Sequence, residues 1–175
     1  MKICCICFIS VILSFKAVSQ NKYDAILKKD YPQKLTLLDS IGGYIIGNDV
    51  DSALALRRLD TLQREVSKAG DAKAMAFVKY LHYAFAVMRQ HADSLTSEKM
   101  KAEVISMADR EDFPAVKALA YIRQGYFYQE MKGGEVNAFE NFLKAYDIYS
   151  KLTNEEFPGR LYSLYSLANT YYKAY

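Results

Sequence analysis

The chain has 175 residues, 51% of them hydrophobic and 25% charged, with a formal net charge of +3. That balance excludes a disordered charged tail and suits one globular domain with a core of its own. Lysine and arginine never cluster beyond pairs (Lys28-Lys29, Arg57-Arg58), so the chain offers no basic stripe for nucleic acid.

The first element is a leader. Met1-Lys2 precedes an apolar run from Ile3 to Phe15, followed by Lys16 and Ala17-Val18-Ser19-Gln20. A basic start, a short apolar core and a small-x-small site read as a secretory signal peptide over 1–19, cut after Ser19. The run is shorter than the roughly 20 residues that span a bilayer easily. An uncleaved anchor or a buried N-terminal helix is the alternative. Cys4, Cys5 and Cys7 all lie in this segment, as do Lys2 and Lys16, so the expected mature chain lacks thiols and carries little net charge. The expected location is periplasmic or extracellular.

Residues 20–33 read as a polar lead-in with a short helix. From Lys34 the pattern is helical nearly throughout, rich in Ala, Leu, Lys, Glu and Met, without alternating strand-like runs. The predicted helices are Gln33 to Ile46, Ser52 to Ala69, Ala72 to His91, Glu98 to Arg110, Pro114 to Met131, Glu135 to Leu152 and Pro158 to Tyr175. Asp51 and Asp71 stand at cap positions, Gly70 at a helix end, and Pro114 and Pro158 at helix starts. Ala92 to Ser97 is predicted as a loop, with Thr96 or Ser97 starting the helix that follows. Seven helices joined by short turns predict antiparallel neighbours.

The chain also repeats itself. Glu111-Asp112-Phe113-Pro114 returns as Glu155-Glu156-Phe157-Pro158, each time before an aromatic-rich helix. A small residue recurs at one helical position, Gly43, Ala84, Gly125 and Ala168, at a period of about 41–43 residues. A larger residue follows three positions on: Ile46, Val87, Tyr128 and Tyr171. Ala138, Phe142 and Ala145 form a small-large-small stripe on the helix after Gly125. The small residues are expected to let paired helices approach closely. An irregular helical bundle with accidental periodicity is the alternative.

Gly125, Tyr128, Ala138, Phe142 and Ala145, with Leu167, Ala168 and Tyr171, resemble the two-helix signature of the tetratricopeptide repeat. The resemblance is strong over 115–175 and weak before 95; Gln124 stands where that family usually has Leu, and the period exceeds its usual 34 or so. It implies an all-α, right-handed superhelical array of antiparallel helix hairpins, a solenoid of about three and a half repeats over 34–175 with the last repeat incomplete. It also implies a concave groove for a protein or peptide. Projection from the small residues lines that groove with Phe85, Met88 and Arg89, then Ile122, Tyr126, Gln129 and Glu130, then Tyr165, Asn169, Tyr172 and Lys173. A solvated face combined with inter-repeat packing is the alternative use of these residues.

Chemistry is poorly represented. His82 and His91 are nine residues apart and do not share a helix face, and His82 is expected to be packed or hydrogen-bonded. The acids near Asn48 and Asp51 lack the glycine and terminal Glu of a calcium loop. Gly42-Gly43 and Gly133-Gly134 lack the Lys-Ser/Thr of a phosphate loop. The expectation is therefore no catalytic residue, no metal and no cofactor. Such repeats in exported bacterial proteins resemble sensor or scaffold modules. The resemblance thus implies the interaction part of a longer signalling regulator, of the histidine-kinase or DNA-binding type, with membrane association only through a downstream segment. A free-standing scaffold for envelope complexes is the second expectation, and a helical-bundle enzyme the third.

Overall fold

The structure, a computed structural model, describes residues 25–47, 51–157 and 159–174. The expected signal peptide lies outside the described residues. The described chain is helical, without a strand. After a single helical turn at 25–27 come seven helices: α1 (Gln33–Ile46), α2 (Ser52–Ala69), α3 (Ala72–Arg89), α4 (Ser94–Arg110), α5 (Pro114–Gln129), α6 (Glu135–Tyr149) and α7 (Arg160–Ala174).

Local chemistry accounts for most boundaries. Asp51, Asp71 and Asp93 each accept a hydrogen bond from the backbone N–H three residues on, at 3.0, 2.9 and 2.7 Å. Each thereby satisfies a donor that the helix itself leaves open. Gly70 closes α2 in the left-handed region at φ 66°, and Pro114 opens α5 where its missing N–H is harmless. One expected boundary is corrected. Helix α4 starts at Ser94, inside the expected loop, because Asp93 caps it; Ser97 is fully buried and serves another purpose. Helix α3 stops at Arg89, and His91 takes a left-handed φ of 52° as the chain turns.

The helices pack in chain order, each against the next. The odd helices also lie side by side, α1 on α3 and α3 on α5. Packing is densest between α5 and α6, and slightest between α1 and α2 and between α6 and α7. The core runs through Leu35, Leu38, Leu59, Leu62, Phe77, Val78, Tyr83, Phe85, Val116 and Ala145. Its centre is α3, whose buried residues cover nearly every side of the helix, as befits an element enclosed by α1, α2, α4 and α5.

The recurring acid-acid-Phe-Pro segment has a structural purpose. Phe113 and Phe157 are both buried and precede α5 and α7. Phe113 meets Tyr31 edge-on at 5.8 Å and Phe157 stacks on Tyr149 at 5.5 Å. Each aromatic plugs the end of a helix layer before the chain starts the next helix.

The expected close-packing residues divide. A Cβ on Gly125 would overlap the ring of Phe142, with Cδ1 at 2.6 Å, so glycine is required where α5 crosses α6. Ala84, Ala138 and Ala145 are buried as expected, and Phe142 is partly buried against the core. Gly43 is corrected: a Cβ there would meet nothing within 4 Å, because α2 stands off from α1. Its neighbour Gly42 makes the close approach instead, against Leu81 of α3. Ala168 and Tyr171 are corrected as well. Both are exposed, Tyr171 leaning on Phe139 with ring centroids 6.0 Å apart. Tyr128 packs ring to ring with Phe127 and sends its hydroxyl towards α4.

Candidate binding groove

Three places in the molecule combine polar groups or exposed apolar surface in a way that could matter for function. The first is a buried polar network joining α3, α4 and α5. Gln124 is its hub and is fully buried. Tyr83 donates to Gln124 Oε1 at 2.5 Å and Ser97 Oγ to the same atom at 2.7 Å. Gln124 Nε2 donates to Glu98 Oε1 at 3.0 Å, which also accepts from Tyr128 at 2.8 Å. Lys101 closes the set on Glu98 Oε2 at 2.6 Å. Burial pushes the Glu98 carboxyl up, but the bonds from Lys101 and Tyr128 outweigh it and hold it below its ordinary value. Burial likewise pushes the Tyr83 hydroxyl well up. The network uses its donors and acceptors internally, so it fixes the register of three helices. Its one sequence signal is Gln124 itself, a polar residue at an apolar position.

The second place is a cleft of about 260 Å³ on the side-by-side odd helices. Asp39, Gly42, Ile46, Tyr80, Met88 and Arg123 are among the residues that line it. Of the expected groove residues, Met88 alone is among this lining. Phe85 is corrected: at 1% exposure it belongs to the core and lines no surface. Arg89 donates to the carbonyl oxygens of Ile46 and Gly47, at 3.3 and 2.6 Å, and so ties α3 to the C-terminal end of α1. Ile122 is half-buried against the core, and Tyr126 packs edge-on against Phe142 at 5.3 Å.

The third place is a groove of about 600 Å³ between α6 and α7, with Gln129 of α5 also in its lining. Its walls are apolar: Phe139, Phe142, Leu143 and Tyr146 on α6, and Leu164, Leu167, Ala168, Tyr171 and Tyr172 on α7. Glu135 and Gln129 are the charged and amide side chains in its lining. Leu143, Tyr146, Tyr171 and Tyr172 are each at least half exposed, and Leu161 and Tyr165 extend the same apolar surface along α7. Leu161, Tyr165, Ala168 and Tyr172 follow helical spacing and form one stripe. Exposed apolar side chains gathered in one place make this surface the candidate for an association site.

The structure therefore separates the expected groove residues into distinct surroundings. Gln129 and Tyr172 share the α6–α7 groove, and Tyr165 borders it on the same helix. Glu130 and Asn169 are exposed. Lys173 belongs to α7, and its side chain lies outside the described residues. Projection from the odd helices misses Phe139, Leu143 and Tyr146, because it ignores the even helix that forms the opposite wall; on α7 itself it misses Leu164, which lies four residues before Ala168 on the side turned to α6.

His82 is half-buried on α3, and its Nε2 is buried without a partner among the described residues. Burial lowers its pKa, opposed by the nearby Asp60. Among the described residues no three His, Cys, Asp or Glu side chains come together as a metal-ligand group, and no helix is long and apolar enough to cross a membrane. No family model, no curated protein and no solved structure matches this chain.

Proposed function

We propose that the chain is an exported helical-repeat module that binds a protein or peptide, and that its partner enters the α6–α7 groove as an amphipathic helix. One observation carries this reading: the groove is walled by aromatic and aliphatic side chains that remain exposed in the folded chain. Apolar grooves between helices accept a helix through anchors at i, i+3, i+4 and i+7. The tyrosine-rich wall suits such an anchor set, since tyrosine combines large contact area with a polar tip. Helices α1, α3 and α5 lie side by side with α2 and α4 packed against them, an arrangement that a tetratricopeptide-like solenoid requires and that supports this architecture for the first five helices.

The test selects binders from a library of helical peptides displaying apolar residues at those spacings, and measures affinity by calorimetry. Leu143→Lys with Tyr172→Lys is expected to weaken a selected peptide by about a hundredfold, as loss of a central apolar anchor does. Met88→Lys, in the separate cleft, is expected to leave it unchanged. Equal affinity for all three proteins argues against the groove. Export is tested separately: a reporter fused to the first thirty or so residues is expected to be secreted and cut after Ser19.

As for the wider role, we favour the interaction part of a longer signalling regulator, with a free-standing envelope scaffold as the second reading. An apolar run of about 20 residues encoded downstream would favour the first.

A further inference from the structure

Helices α2 and α7 both turn a face outward, and the two faces differ in kind. On α2 the exposed positions include Arg57, Asp60, Arg64 and Lys68, the charged surface expected of a helix that faces water. On α7, residues 161–172 contain no charged residue. Leu161, Tyr165, Ala168 and Tyr172 are all exposed there. Their spacing of four, three and four is that of the seam between two packed helices, with the small Ala168 inside the stripe where backbones can approach. Helix α7 therefore carries the anchors at i, i+4 and i+7 that we assign to the partner of the groove.

The size of the open surface says how large its cover must be. Tyr146, Tyr165, Tyr171 and Tyr172 are between 56% and 85% exposed, and Leu143 and Leu161 at least half. With about 200 Å² for a whole tyrosine, these six leave on the order of 700 Å² open. A standard stable interface takes roughly 800 Å² from each partner. Leu161 and Tyr165 lie outside the groove lining, so a lone helix seated in the groove leaves them in water, whereas a facing helix pair covers them too. Symmetric contact sets residues near the axis against their own counterparts, so charge there would repel itself. Among the described residues that line the groove, Glu135 alone is charged, and it stands at the first position of α6 rather than in the stripe.

We propose that the chain forms a two-fold symmetric dimer in which α7 of each copy lies in the α6–α7 groove of the other, with the two Ala168 side chains facing each other near the axis. The two α6–α7 pairs then make a four-helix arrangement with the tyrosines and leucines at its centre. This inference rests on the groove being a docking site, as proposed above, and names its occupant as a second copy.

Sedimentation equilibrium of the purified chain reads the mass directly. The 20.0 kDa chain is expected at twice its mass, half-dissociated on the order of 10 µM, as suits an interface at the lower end of stable sizes. Ala168→Glu and Ala168→Lys alter an exposed helical position, so each is expected to keep its circular dichroism spectrum. Each is also expected to sediment as a monomer up to about 100 µM, because it sets like charges together at the axis. An equimolar mixture of the two is expected to recover the dimer, now with opposite charges there. Rescue of this kind requires a residue that faces its own counterpart, and association through the apolar leader would be untouched by either substitution. A dimer of either single variant, or a mixture that stays monomeric, overturns the proposal. So does an unaltered chain that is monomeric at about 100 µM. If that monomer still binds a selected helical peptide, and Leu143→Lys with Tyr172→Lys weakens it, the second copy is excluded and the groove remains a docking site. If it binds no peptide either, both readings fall.

Discussion

Helices α5 and α7 follow the same plan in sequence but meet different surroundings. Both are preceded by an acid-acid-Phe-Pro segment, and both carry a small residue followed by a tyrosine three positions later. In α5 the small residue is Gly125, pressed against Phe142 of α6, with α4 on another side and α3 alongside. In α7 the corresponding Ala168 is exposed, Tyr171 is 57% exposed, and α6 is the neighbour it packs on. A small residue permits close approach but does not cause it. The large side chain opposite, and a second flanking helix, decide whether the position becomes core or exposed surface.

The sharpest way to break this comparison is Gly125→Val. The added methyls have no room beside Phe142, and overpacking of this kind is expected to destabilise the fold by about 3 kcal/mol in chemical denaturation. Ala168→Val, at the matching exposed position, is expected to change stability by no more than about 0.5 kcal/mol. Equal effects would mean that α7 is packed as tightly as α5.

Gln124→Leu comes next. It installs the residue that the repeat pattern favours, yet leaves Tyr83 and Ser97 without their acceptor. The expected cost is about 2 kcal/mol, the penalty of buried polar groups stripped of a partner. A stabilised Gln124→Leu would show that the network is dispensable.

Acid is expected to have a smaller and graded effect. The folded pKa of His82 is lowered from 6.5, so the unfolded chain binds that proton first. Stability therefore falls as pH drops below about 6.5, and the loss saturates once the folded ring is also protonated. His82→Phe is expected to flatten that step. Asp71 and Glu98 then add a second loss at lower pH. Burial alone would raise both carboxyls, but Lys34 and the Ala74 N–H at Asp71, and Lys101 and Tyr128 at Glu98, hold both below their ordinary values. The stability that they contribute is present above the unfolded pKa and disappears as pH falls through the folded one.

The smallest effect contrasts two adjacent glycines of α1, one pressed against a neighbour and one open. Gly43→Ala is expected to stabilise the chain by about 0.5–1 kcal/mol, since alanine is the better helix former and its Cβ meets open space. Gly42→Ala, one residue away, is expected to destabilise it, because its Cβ would meet the Leu81 side chain. The opposite signs at adjacent glycines are readable by thermal unfolding.

Much of the fold was legible in the residues. Helical periodicity, Asp51 and Asp71 at cap positions, Gly70 at a helix end and Pro114 at a helix start brought most helix boundaries close to those observed. These signals act within a turn of helix, and the chain carries them wherever it packs. The candidate site was less legible. Nothing local distinguishes Phe85, which faces the core, from Met88, which faces the cleft, because that depends on which helices stand beside α3. The same limit concealed Gln124 as a hub, Gly42 rather than Gly43 as the close contact, and the even-helix wall of the α6–α7 groove. The sequence by itself determined where the helices start and stop and which residues are small or aromatic. Only the tertiary structure decided which of those residues meet a partner and which remain open, because burial is a property of neighbours brought together across tens of residues.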